Sequence, residues 1–222
     1  MKVVVRHILA IVAVAFASIL ECGSAVAQEY LYPFEIAEND SGKISMEWGA
    51  GIGGVYTDIA HVSMPDVSLS SHLGFVGHFD MGVVFGRYFA VESEIVYQKV
   101  RFDAGYRGVS YDVRTSSVEM PIMLSLRLGD GVLRFNGGVS FGILSSSGYT
   151  EGYESLMFGS VIPTWNLTAG AGVYLANALL VELRYTHALQ DNYNQLGGAL
   201  NRAGMDFSTR MNRVSLGATV LF

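Results

Sequence analysis

Residues 213–222 read Arg-Val-Ser-Leu-Gly-Ala-Thr-Val-Leu-Phe and alternate between two kinds of side chain. One phase of the alternation is apolar and consists of Val214, Leu216, Ala218, Val220 and Phe222. The other phase is polar or glycine at residues 213, 215, 217 and 219, and Leu221 alone departs from it. A period of two predicts a β-strand with one apolar face. A closing strand of this kind, ending on an aromatic residue, is typical of a transmembrane antiparallel up-and-down β-barrel of the bacterial outer membrane.

The amino-terminal segment, residues 1–27, has the features of a cleavable signal peptide. Residues 2–7 carry positive charge, residues 8–20 form an apolar run, and an A-x-A site ends at Ala27, before Gln28. The alternatives are an uncleaved anchor and lipidation at Cys22. Glu21 disfavours both, because it closes the apolar run early and because a small residue normally precedes a lipidated cysteine.

Cleavage after Ala27 would remove the single cysteine together with Lys2, Arg6 and Glu21, which changes the net charge from −6 to −7. A mature chain without cysteine has no disulfide, no thiolate nucleophile and no cysteine metal site. Its acidic balance is not that of a nucleic-acid-binding protein. Half of the residues are apolar, yet no apolar run after residue 27 approaches the roughly 18 residues that a membrane helix needs.

The rest of the chain predicts a periplasmic lead-in over residues 28–43 and one barrel domain over residues 44–222. About eight segments alternate with period two, near residues 44–56, 72–86, 89–102, 117–128, 132–144, 164–175, 179–187 and 213–222. Their connections are alternately long and short, and the long ones cover residues 57–71, 103–116, 145–163 and 188–212. Outer-membrane barrels have short periplasmic turns and longer outer loops. This order therefore predicts an even strand number, both termini in the periplasm and four long loops outside.

Outward-facing aromatic residues form two groups that predict interfacial girdles. One group lies near the predicted periplasmic end: Trp48, Phe85, Phe135 and Phe222. The other lies near the outer end: Tyr56, Phe75, Phe141, Trp165 and Tyr185. The alternative is the ordinary enrichment of aromatic residues in strands.

Four segments carry a resemblance to a known family. They are Val118-Glu119-Met120-Pro121-Ile122-Met123-Leu124, the glycine-rich runs 137–142 and 169–173, and Leu180-Val181-Glu182-Leu183-Arg184-Tyr185. Their content and order resemble the PorT-like outer-membrane β-barrel family of Bacteroidetes-type bacteria. The resemblance covers nearly the whole mature chain and implies an eight-stranded barrel. The founding member is tied to a protein secretion system, and most members have no assigned activity.

Pro121 interrupts an otherwise regular strand pattern. Proline cannot donate to a ladder, and a closed barrel has no edge strand to hold it. We expect a local bulge or a broken ladder at this position.

The inner phase collects charged residues from seven of the eight segments. A lumen charge network is predicted from Glu47, Asp80, Glu92, Glu94, Glu119, Arg127, Arg134, Glu182, Arg184 and Arg213, with His78 beside it. The interior of an eight-stranded barrel is just wide enough to be filled by side chains, and buried charges must pair. We therefore predict a plugged lumen. Candidate pairs join Glu119 to Arg127 or Arg134, and Glu182 to Arg184 or Arg213.

The sequence offers two other functional classes. A conducting pore or proton path is disfavoured, because open porins have more strands. A lipid-modifying enzyme would need a clustered nucleophile and base. His61, Ser63 and the nearby Asp58 or Asp66 are one candidate set, and His187 with Asp191 is another. Neither spacing fixes a triad, so we predict no enzyme, no catalytic residues, no metal and no cofactor.

The predicted outer loops contain several aromatic residues among Gly, Ser and Asn. They are Tyr106, Tyr111, Tyr149, Tyr153, Phe158, Tyr193 and Phe207. Such residues can form a contact surface, and the alternative is that the loops are merely solvated and variable. The predicted partners are outer-membrane lipid, the barrel assembly and periplasmic chaperone machinery, and an extracellular or secretion-complex protein of unknown identity. We expect a monomer that does not bind nucleic acid.

Overall fold

The computed structural model describes residues 44–106, 108–129, 131–151, 154–159, 163–176, 178–196 and 205–222. The predicted signal peptide, its cleavage site at Ala27 and Gln28, and the lead-in lie outside the described residues. Within these ranges, no helix is long and apolar enough to cross a membrane.

The described residues form eleven strands of one sheet. In chain order they are β1 (Ile44–Val62), β2 (Val67–Ser71), β3 (Leu73–Phe85), β4 (Phe89–Tyr106), β5 (Val109–Leu128), β6 (Leu133–Glu151), β7 (Glu154–Met157), β8 (Thr164–Ala176), β9 (Leu179–Ala188), β10 (Asn192–Leu196) and β11 (Met205–Leu221).

Eight of these strands close into a ring in the order β1-β3-β4-β5-β6-β8-β9-β11, and β11 pairs with β1. Every pairing is antiparallel, and the closing register joins Gly49 to Leu221 and Thr57 to Arg213. The predicted all-β barrel of eight strands is thereby confirmed, including the pairing of its first and last strands.

The register around the ring gives the barrel its tilt. Starting at Glu47 in β1, the path of cross-strand partners returns to β1 at Thr57, which is ten residues away. The intermediate partners are Gly82, Glu92, Met123, Gly138, Thr168, Thr186 and Arg213. With a rise of about 3.3 Å per residue and about 4.8 Å between strands, this stagger tilts the strands by about 40°.

The strands carry an apolar outer face and a buried inner face, as their alternation predicts. In β5, Ile122 and Leu124 point outward and are 58% and 70% exposed, whereas Met123 between them is buried. On the inner face, glycine gives room to larger partners. A Cβ added at Gly51 would overlap the imidazole of His78, its cross-strand partner.

The long connections differ from the prediction, because strands replace much of the expected loops. β5 has 20 residues, whereas a membrane-spanning strand needs only about 9–11. β1, β4, β6 and β11 are also extended, and β2, β7 and β10 add to the sheet at the same end. We call this part the head and define it as residues 57–71, 99–106, 108–116, 146–151, 154–159, 191–196 and 205–212.

Pro121 breaks one ladder, as the sequence suggests. Pairing of β4 with β5 stops at Ser93↔Ile122 and resumes at Val96↔Glu119 in the same register. On its other side, Pro121 keeps its place opposite Ser140 of β6. The irregularity is therefore an interrupted ladder and not a bulge.

Candidate functional site

The predicted charged residues meet inside the barrel and form a chain of ion pairs. Arg127 donates to Glu47 at 2.7 Å and lies 3.9 Å from Glu92. Arg134 donates to Glu92 and lies 3.8 Å from Glu182. These contacts join β1, β4, β5, β6 and β9 across the lumen.

Arg184 lies at the centre of this network. Its guanidinium donates two hydrogen bonds to Glu94, at 2.5 and 2.6 Å, and further bonds to Glu182 at 2.5 and 2.8 Å. Glu182 also accepts a 2.7 Å bond from Asn136. The expected contact of Glu182 with Arg184 is therefore present, and it is part of a larger cluster. A planar guanidinium with five donors suits this arrangement because it can serve two carboxylates at once.

Glu119 has a different partner from either one expected. It pairs with Arg213 of β11, which also lies 3.5 Å from the Gln98 amide oxygen. Arg127 and Arg134 are occupied by Glu47, Glu92 and Glu182, near the end with the short turns. The expected pairing of Glu119 with Arg127 or Arg134 was wrong, because the stagger of the barrel places Arg213 at its height.

Asp80 is the exception in the network. Its carboxylate contacts His78 at 3.7 Å, has no guanidinium within ion-pair distance among the described residues, and keeps one buried oxygen without a hydrogen-bond partner there. His78 Nε2 lies 2.8 Å from the hydroxyl of Thr219. The lumen network thus holds six carboxylates and four guanidiniums.

A small space remains among the side chains of this network. It is a cavity of about 40 Å³ whose lining includes His78, Gln98, Glu119, Arg184 and Arg213.

The head has a second, apolar interior, which we call the head cluster. It contains Val67, Val100, Phe102, Ala104, Tyr106, Tyr111, Val113, Tyr149, Phe158, Leu196 and Phe207. Phe158 packs edge-on against Phe102 at 5.1 Å and against Phe207 at 5.8 Å between ring centroids. A hydrogen bond from Gln195 N to Phe158 O, 2.7 Å long, joins the segment after β7 to β10 around this cluster.

The strands of the head keep their alternation but exchange the polarity of their faces. The inner face of β4 changes along the strand from Glu92 and Glu94 to Val100, Phe102 and Tyr106. Its outer face changes in the opposite direction, from Val91 and Ile95 to Lys99 and Arg101. The lower part of the strand is therefore apolar outside, and the upper part is apolar inside, as in a water-soluble barrel.

This exchange corrects the prediction for the loop aromatics. Five of the seven residues proposed as a contact surface are buried in the head cluster: Tyr106, Tyr111, Tyr149, Phe158 and Phe207. Only Tyr193 is exposed, at 65%, and Tyr153 lies outside the described residues. The signal was available in the sequence as the apolar inner phase Val100, Phe102, Ala104 and Tyr106.

Comparison with known proteins identifies the family. The model of the outer membrane protein beta-barrel domain matches residues 36–194, which is more than half of the chain. The chain belongs to this family. A search of curated proteins finds no match.

Several solved structures of outer-membrane proteins are similar to the barrel, and that of OprG shares its fold. The crystal structure of OprG from Pseudomonas aeruginosa has 11% sequence identity and a TM-score of 0.53, over 83% of this chain and 99% of its own. Neisserial surface protein A has 13% identity and a TM-score of 0.49, over 80% of this chain and 98% of its own. AlkL in DMPC bilayers has 13% identity and a TM-score of 0.47, over 86% and 95%. The family match places the barrel in the bacterial outer membrane, where its apolar face meets lipid.

The predicted girdle residues all lie on the outer face of the ring. Near the short turns these are Trp48, Phe85, Phe135 and Phe222, and near the head they are Tyr56, Phe75, Phe141, Trp165 and Tyr185. Trp165 packs against Phe141 at 5.3 Å, and Trp48 packs against Phe79 at 6.0 Å. This placement agrees with the two expected groups, and their role as interfacial anchors stays a prediction.

The residues considered for catalysis have other partners. Asp191 binds Arg210 at 2.8 Å, and the His187 ring stacks on Tyr185 at 6.4 Å between centroids. The Ser63 hydroxyl accepts a 2.8 Å hydrogen bond from the backbone of Ser208. Within the described ranges, no group of three or more His, Cys, Asp or Glu residues could hold a metal ion.

Proposed function

We propose that this barrel is a sealed, non-enzymatic scaffold that presents a rigid head for binding outside the cell. The observation that carries the proposal is the head cluster. A head with its own apolar interior is held in one shape, whereas a solvated loop is not. A preorganised surface loses less conformational freedom on binding.

Two layers inside the barrel support a role without conduction. The lower layer is the lumen network, and the upper layer is the head cluster, which is continuous with Val55, Val76 and Val96 on the inner wall of the ring. An ion that passes along the axis would have to open both layers. Breaking buried ion pairs and unpacking a buried aromatic cluster each require several kcal/mol.

The orientation follows from the connections. Outer-membrane barrels have short periplasmic turns and longer extracellular connections, so we infer that the head lies outside and the turn at Arg87 lies in the periplasm. We further infer export by a cleaved signal peptide, with cleavage after Ala27. We also infer that the barrel is folded by the barrel assembly and periplasmic chaperone machinery. We infer that it is a monomer.

Labelling on intact cells tests the display of the head. Tyr193→Cys places a thiol on the exposed face of β10, and Arg87→Cys places one in a short turn, in a mature chain that has no other cysteine. A membrane-impermeant maleimide is expected to label Tyr193→Cys on intact cells, and Arg87→Cys only after permeabilisation. The reverse pattern would refute the proposed orientation and the display of the head.

A second candidate is an accessory role in protein secretion. It is supported by the resemblance of the 118–124 and 180–185 segments to the PorT-like family, whose founding member is tied to secretion. Comparison of secreted proteins between a deletion strain and its parent distinguishes the two. Loss of a defined set of secreted proteins would favour the secretion role.

A further inference from the structure

Three cations lie on the outer face of β4 and β5 at the foot of the head. They are Lys99, Arg101 and Arg114, and we call them the basic strip. Below them the same faces are apolar, with Ile95 and Tyr97 on β4 and Val118 and Met120 on β5. The register sets Lys99 opposite Ser116 and Arg101 opposite Arg114. The strip therefore begins where the apolar surface ends.

One carboxylate holds the two arginines of the strip together. Arg101 Nε donates to Asp112 Oδ1 at 2.7 Å, and Arg114 Nη2 donates to Asp112 Oδ2 at 3.1 Å. Burial alone would raise the pKa of Asp112, but the hydrogen bonds and charges of Arg101 and Arg114 lower it below its ordinary value. Like charges directly opposite each other on neighbouring strands repel. The Asp112 carboxylate offsets that repulsion and fixes the orientation of both guanidiniums.

The strip still carries excess positive charge. Two of its three cations, Arg101 and Arg114, share the Asp112 carboxylate, and Lys99 has no ion-pair partner among the described residues. The side chains of Arg101 and Arg114 are 57% and 66% exposed, so their remaining N–H groups face outward. The neighbouring Asp103 is bound by His72 at 2.8 Å. On β11, by contrast, Arg210 forms an ion pair with a carboxylate of its own, that of Asp191.

The strip begins within the membrane headgroup layer and ends at its outer edge. Lys99 and Arg101 lie two and four residues beyond Tyr97 on a strand tilted by about 40°. At about 3.3 Å per residue this places them roughly 5 and 10 Å beyond the aromatic ring along the membrane normal. The polar layer on each side of the hydrocarbon is roughly 5–8 Å thick. The exposed ammonium of Lys99 therefore lies within the headgroup layer, and the guanidiniums of Arg101 and of its register partner Arg114 lie at the outer edge of that layer.

We propose that Lys99, Arg101 and Arg114 bind the phosphate groups of lipopolysaccharide lipid A in the outer leaflet beside β4 and β5. Guanidiniums match phosphate oxygens with paired hydrogen bonds, and an ammonium adds a point charge. Cations that bind a soluble polyanion would be most accessible at the tip of the head. The basic strip lies instead at the foot of the head, next to the membrane. The proposal rests on the head being outside, which the Tyr193→Cys labelling tests separately.

Titration of lipid A onto the refolded full barrel in mixed micelles, followed by native mass spectrometry, tests the site. The probes are bis-phosphorylated lipid A and the same lipid with both phosphates removed. The double variant R101A/R114A is expected to weaken binding of the phosphorylated lipid by about tenfold or more, the loss expected when charge-assisted hydrogen bonds are removed. The phosphate-free lipid is expected to bind both proteins weakly and equally.

Two matched variants keep the result interpretable. R210A removes an exposed arginine that has its own carboxylate, and it is expected to leave the affinity unchanged. D112N keeps both arginines and removes the competing charge, so it is expected to bind phosphorylated lipid A at least as tightly as wild type. Folding of each variant is checked by its shift on a denaturing gel with and without boiling. Equal affinity of wild type and a folded R101A/R114A, or equal affinity for both lipids, would overturn the proposal. So would a loss in D112N as large as that in R101A/R114A.

Discussion

Arg184 of β9 holds Glu94 of β4 through two parallel hydrogen bonds of 2.5 and 2.6 Å across the lumen. These two strands lie on opposite sides of the eight-membered ring, and the Glu94 side chain is fully buried. The pair therefore ties the barrel through its centre as well as around its wall. Because both charges are taken from water, each depends on the other for compensation.

Removal of one partner tests this dependence. Glu94→Gln is expected to lower the free energy of unfolding by about 3 kcal/mol, at the lower end of the range for breaking a buried pair, because Glu182 still contacts Arg184. Urea unfolding of the refolded barrel in lipid vesicles measures the loss. The double variant Glu94→Gln/Arg184→Gln is expected to recover part of it. A double variant that loses the sum of both single changes would show that the two residues do not interact.

Asp80 is expected to behave in the opposite way. It lies in the same lumen with no guanidinium within ion-pair distance among the described residues, so Asp80→Asn breaks no arginine pair and keeps the shape of the side chain. We expect unchanged or increased stability, within about 1 kcal/mol of wild type. Glu182→Gln is the matched comparison, because Glu182 accepts bonds from Arg184 and Asn136, and it is expected to be clearly destabilising. A larger loss for Asp80→Asn than for Glu182→Gln would contradict the assignment of partners.

The head cluster is expected to contribute to stability like a protein core. Phe102 is fully buried and contacts the Phe158 ring. Phe102→Ala should therefore destabilise the head by about 3–5 kcal/mol. Tyr193→Ala changes an exposed aromatic residue of the same region and is expected to stay within about 0.5 kcal/mol of wild type. Limited proteolysis of the head and urea unfolding measure both, and equal effects would mean that the head has no packed interior.

Neighbouring glycines of β6 are expected to differ sharply. A Cβ added at Gly138 would overlap the backbone carbonyl of Ile122, whereas one added at Gly137 would meet only Thr168 O at 3.7 Å. Gly138→Ala must therefore push two strands apart, and we expect it to lower stability by more than about 2 kcal/mol. Gly137→Ala is expected to be tolerated. The folded fraction on an unboiled gel reports both, and a well-folded Gly138→Ala would contradict the observed strand approach.

The sequence predicts the wall of the barrel well, and there is a physical reason for this. In β5, lipid requires an apolar side chain at every second position from Val118 to Leu128, so the period-two signal is strong and local. The same holds for the closing strand, where Val214, Leu216 and Val220 face outward. Strand order then follows from short turns that join neighbours.

The interior could not be predicted in the same detail. Arg213 meets Glu119 only because the ring is staggered by ten residues between Glu47 and Thr57, and no single strand encodes that stagger. The head was missed for a different reason. Val100 and Phe102 continue the alternation of β4, but the apolar phase changes from the outer to the inner face where the strand leaves the lipid. If the same face is expected to be apolar along the whole strand, this change of face looks like the end of the strand.

Single-channel recording tests the sealed barrel most directly. Wild-type protein, refolded and inserted into a planar bilayer, should give no steady conductance above the bilayer leak, because the ion pairs of Arg134 and Arg184 and the packing of Phe102 and Phe158 fill the interior at two heights. Insertion is verified on the same preparation by the shift of the folded band on an unboiled gel. Steady, reproducible conductance steps from folded wild-type protein would contradict the account.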